Sequence, residues 1–116
     1  MTAGVYNFIC EQGATFNRTF TIKDSSQNPL DLTDFIARMQ VRRDIDAAEP
    51  MIELTTENGG IELGGEEGTV SLFISAGDTS DIPRSGVYDI EIESGDSGEI
   101  SRVLKGKFVI DPEVTK

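Results

Sequence analysis

The chain has no histidine, no tryptophan and a single cysteine, and each scarcity removes a class of chemistry. Without histidine it lacks the commonest general base, the commonest zinc ligand and the hub of most catalytic triads. A lone cysteine, Cys10, can neither close an internal disulfide nor build a CxxC site. It ends an apolar run and reads as a buried, inert thiol. Tyr6 and Tyr88 are the only tyrosines and read as core, leaving no aromatic platform for sugars. Cations are also scarce: 10 Lys and Arg face 21 Asp and Glu, for a formal charge of −11. Such a surface repels phosphate, so no nucleic-acid partner is expected. The acidity reads chiefly as a solubility device, with a basic partner or a divalent cation as alternatives. No stretch approaches the roughly 20 apolar residues that span a bilayer, so no membrane partner is expected. The opening Met1-Thr2-Ala3-Gly4-Val5-Tyr6 lacks a basic region and a long apolar run, and predicts synthesis in a reducing cytoplasm.

What the chain does have is alternation. Residues 15–23 place Phe16, Phe20 and Ile22 on one side and Asn17, Thr19 and Thr21 on the other. Residues 35–43 separate Phe35, Ala37, Met39 and Val41 from Arg38, Gln40 and Arg42. Residues 69–75 turn Val70, Leu72 and Ile74 inward, and residues 86–94 do the same with Tyr88, Ile90 and Ile92. Shorter β-prone runs cover 5–10, 51–55 and 61–63, and a long one covers 99–110 with Ile100, Leu104, Phe108 and Ile110 inward. Residues 24–29, 58–60, 64–68 and 94–98 are rich in turn formers. One helical turn is expected over 76–82, capped by Ser75 or Asp78 and stopped by Pro83. Gly106, at an inward position, predicts a bulge or a close backbone approach. Seven to eight strands with one dry face each predict an all-β, antiparallel sandwich in a single domain, residues 1–116, with 111–116 a polar tail.

Little in the chain points to chemistry. With so many acids, carboxylate pairs arise by chance and carry no specificity for hydrolysis. Asp78, Asp81 and Asp89, or Asp96 with Glu99, offer oxygens to calcium but follow no twelve-residue loop pattern, and read as solvated acids. No enzyme activity, cofactor or metal site is expected. Contact residues are better candidates. Phe73 falls on an otherwise polar strand face, and Met51, Val103 and Val109 fall on the outward side of their strands. Several such residues on one sheet make a patch suited to a partner. Arg18 and Arg102 occupy inward positions, where they either stretch their stems over the core edge or form a salt bridge between subunits.

The segment 21–42 carries a family likeness: a strand ends at Asp24, Asn28 precedes Pro29 in the turn, and Leu30-Asp31-Leu32-Thr33 leads into the next strand. The stretches 11–16, 55–61 and 106–115 continue it, so the likeness covers nearly the whole chain. The pattern resembles small virion proteins of tailed bacteriophages, and in particular the immunoglobulin-like sandwiches of tail and baseplate proteins such as the N-terminal domain of baseplate upper proteins. Two positions depart from it: Gln27 and Asp34 stand where such turns usually carry glycine. The resemblance implies an immunoglobulin-like fold and a non-enzymatic virion component of the tail, baseplate or neck. It would act in several copies against other virion proteins, after synthesis in the host bacterium. A capsid decoration protein and an adhesin-like, carbohydrate- or cell-surface-binding module are the alternatives.

Overall fold

A computed structural model describes residues 3–115. Nine strands form two sheets packed face to face. In chain order they are β1 (Gly4–Val5), β2 (Phe8–Glu11), β3 (Phe16–Thr21), β4 (Phe35–Arg42), β5 (Ile52–Thr55), β6 (Ile61–Leu63), β7 (Thr69–Ile74), β8 (Gly86–Ser94) and β9 (Ile100–Asp111). The larger sheet runs β1-β9-β8-β4-β5, with β2 also on β9, and the smaller runs β3-β7-β6. The expected sandwich is therefore present, with two differences. The run at 5–10 splits into β1 and β2, and both pair parallel to β9, so the larger sheet is mixed and not purely antiparallel.

The split has a local cause. Gly106 lies so close to the break that a Cβ there would come within 2.0 Å of the Tyr6 carbonyl oxygen. The Tyr88 hydroxyl donates to that same oxygen at 2.5 Å, and Asn7 accepts the Lys107 N–H at 2.9 Å. The close approach expected at Gly106 is thus real, but the bulge lies elsewhere, between Arg102 and Leu104. Glu91 pairs with Arg102 while Ile90 pairs with Leu104, leaving Val103 as the extra residue. One inserted residue reverses the facing of everything before it in the strand. Val103 is consequently buried, at 9% exposure, and not outward; Ile100 and Arg102 are outward and not inward.

The core holds the alternating residues of both sheets. Phe8, Phe16, Tyr88 and Phe108 gather there with ring centroids 5.1–6.5 Å apart. Tyr6 does not join them: it is exposed and sets an edge against Phe8. Cys10 is fully buried, and desolvation raises its thiol above the ordinary value, outweighing the opposing pull of Arg18. The short helix α1 (Ala76–Ser80) closes one end, with the Ser75 hydroxyl accepting the Asp78 N–H. Its buried Thr79 accepts the Gly13 N–H at 3.0 Å and lies 2.8 Å from the Ala14 carbonyl, tying the β2–β3 turn to the helix. No helix among the described residues is long and apolar enough to cross a membrane.

Candidate protein-contact surfaces

The two sheets turn very different faces to solvent. On the larger sheet, β4 and β8 alternate, and apart from Ile36 and Val87 their outward side chains are polar or charged. Cross-strand register then lines these up as a ladder. Arg38 donates to Glu91 at 3.0 Å and to Glu93 at 3.2 Å, and Arg102 meets Asp89 at 3.5 Å. Those bonds to Glu91 first, then Glu93, hold Arg38 above the ordinary guanidinium value, so its charge is permanent. Arg42 donates to the Gln40 side chain at 2.7 Å and to the Ala47 carbonyl at 2.9 Å. Lys105 and Lys107 complete a set of five cations against Asp89 and Glu91, around a shallow hollow edged by Val5 and Ile45. Half of the chain's ten cations lie there, interleaved with Asp89, Glu91 and Glu93.

Apolar side chains interrupt this charge. Ile36 and Ile100 flank Glu93 near one end of the face, and Ile9 sits beside Val109 at the other. Val5 and Val87 lie between, next to Lys105 and Lys107. All six are exposed and project from one side of one sheet.

The smaller sheet shows an uncharged face along β3 and β7. Asn17, Thr19 and Ser71 surround Phe73, with the Thr19 and Ser71 hydroxyls 3.0 Å apart and the exposed Glu62 of β6 beside Ser71. Phe73 is 48% exposed and lies on the outward side that its strand pattern predicts. Among the other contact candidates, Met51 departs from expectation. It precedes β5 in a bend, where alternation lapses, and its half-buried side chain packs on the core against Gly86. Arg18 extends from β3 to the open side of the sandwich. It donates to the Asn17 carbonyl at 2.9 Å and to the Ile9 carbonyl at 3.2 Å, with its guanidinium 4.6 Å from the Phe16 ring centre. Arg102 belongs to the charged ladder. The candidates thus divide between faces, and only Arg102 and Val109 share one.

Ile9, Ile36, Val87 and Ile100, and the cation set, escape a reading by single strands. Val87 and Ile36 sit one residue away from obvious core positions, and the bulge disguises Ile100. Cross-strand register is what unites them. Among the described residues, no group of three acidic, cysteine or histidine side chains is placed to hold a metal ion. No protein-family model matches the chain, and no curated protein matches it.

Proposed function

We propose that this protein is a non-enzymatic structural subunit of a tailed-bacteriophage virion, in its tail, baseplate or neck, working through contacts with neighbouring virion proteins. The observation that carries the reading is the outer face of the larger sheet, where six exposed apolar side chains and five cations share one surface. Isolated exposed apolar residues are ordinary, but a set on one rigid sheet is suited to a protein partner.

Two features support the family setting. Strand order β3-β7-β6 against β9-β8-β4-β5 follows the B-E-D and G-F-C-C′ order of immunoglobulin-like domains. In addition, Gln27 and Asp34 are the only non-glycine residues among those described with positive φ, at 67° and 64°. These are the two positions where the phage pattern usually carries glycine.

Mass spectrometry of purified phage particles, with immunogold labelling by an antibody to this chain, tests the reading. The expected outcome is a peptide signal in intact virions and gold at the tail. Particles free of the protein end the proposal, and gold on the capsid transfers it to the decoration class.

A further inference from the structure

The sandwich has four sheet edges, and three of them are blunted. At β5 the side chain of Asn58 folds back, accepting the Thr55 N–H at 2.9 Å and donating to the Glu53 carbonyl at 3.0 Å. On the opposite edge of the larger sheet, the break at Tyr6-Asn7 divides β1 from β2, and Arg18 takes the Ile9 carbonyl. The β6 edge is three residues long and ends in glycine. Such devices stop a sheet from pairing with another chain.

β3 is different. It is six residues long, contains no proline and pairs only with β7. Which of its backbone groups are free follows from the ladder. Ile22 N–H bonds the Gly68 carbonyl at 2.8 Å, whereas Phe73 N–H and the Thr69 carbonyl are used by Gly60 and Gly64 on the far side. Alternation therefore turns the groups of Phe16, Arg18 and Phe20 toward β7, and those of Asn17, Thr19 and Thr21 toward solvent. Among the described residues, Thr19 and Thr21 have no backbone partner, and Asn17 has only the Arg18 guanidinium on its carbonyl.

We infer that β3 is a dimerisation edge whose occupant is the β3 strand of a second copy, antiparallel across a two-fold axis at Thr19. The strand is complementary to itself in that register. Thr19 meets Thr19, Asn17 meets Thr21, and Arg18 meets Phe20, so no like charges stand directly opposite one another. The outward residues of the two strands nearest the edge, Asn17, Thr19, Thr21, Ser71 and Phe73, are all uncharged, and the acid Glu62 lies one strand further in on β6, which lets two copies of an acidic chain approach on this side. Pairing would supply up to six backbone hydrogen bonds and join two three-stranded sheets into one. The inference is independent of the virion reading.

Sedimentation velocity on the full chain, from micromolar to millimolar, tests it. A reversible monomer–dimer equilibrium is expected. Thr19→Pro removes only an outward N–H and should weaken the dimer at least about tenfold. Circular dichroism checks that the variant folds. If it does not, Thr19→Glu and Thr19→Lys take its place. Each should weaken its own dimer by up to about fivefold through like charges at the axis, and an equimolar mixture should recover the loss. A chain that stays monomeric throughout, or a dimer indifferent to these charges, overturns the inference.

Discussion

The two sheets carry the same inward pattern but are secured by different means. The larger sheet is locked by specific devices: the Gly106–Tyr6 approach, the Tyr88 hydroxyl, the bulge at Val103 and the Arg38 ion pairs. The smaller has an uncharged β3–β7 face and a bare edge, and its specific ties sit at its ends, at Thr79 and Asp24. A surface held in register from strand to strand can present charges and apolar side chains at fixed spacing. A surface with unspent backbone groups can instead extend itself by adding a strand. The difference teaches that one small sandwich can offer two kinds of interface.

The largest test of that contrast is Gly106→Ala. The new methyl would lie 2.0 Å from the Tyr6 oxygen and 2.8 Å from its carbonyl carbon, both backbone atoms that cannot swing aside. We expect a loss of about 3 kcal/mol in urea unfolding. Hydrogen exchange should show β1 and β2 losing protection while β7 keeps it. Equal loss in both sheets would mean that they are not separately secured.

Tyr88→Phe comes next. It removes the hydroxyl that satisfies the Tyr6 carbonyl and should cost about 1–2 kcal/mol. The pH dependence adds a signature. Burial, with a smaller push from Tyr6, raises the Tyr88 phenol above its ordinary value. The unfolded chain therefore releases this proton first, so the contribution is intact below about pH 10 and drains away as pH rises through and beyond it. The variant should show a shallower alkaline decline in stability than the parent. Parallel declines would show that Tyr88 does not carry the shift.

Much of this architecture is legible in the sequence, because burial on one side of a sheet writes itself as period two. β4, β7 and β8 are read correctly to the residue that faces inward. The reading breaks where a non-local event resets the period. Nothing adjacent to Val103 announces a bulge, since it exists to match β9 to the register of β8. The proposed contact face is less legible still. Its apolar members come from five strands, and only pairing brings Ile36 to Ile100 across Glu93. Turn positions fall between these cases: the departures at Gln27 and Asp34 are visible in the sequence, but the backbone they impose is not.

Those departures give the smallest predicted effect, at the join between the two sheets. Asp24 to Gln27 forms a turn closed by the Gln27 N–H on the Asp24 carbonyl at 3.0 Å. The Asp24 carboxylate takes the Ser26 and Asn28 N–H groups as well. Gln27 then adopts φ 67°, the left-handed conformation that glycine supplies in such turns. A Cβ in that region costs about 1–2 kcal/mol, of which glycine's greater freedom in the unfolded chain takes back part. Gln27→Gly should therefore stabilise the protein by about 0.5–1 kcal/mol, raising Tm by roughly 2–5 °C in calorimetry. Asp34→Gly should gain less, because aspartate tolerates this conformation better than glutamine does. If Gln27→Gly is neutral or harmful, the connection between the sheets is not strained at this turn.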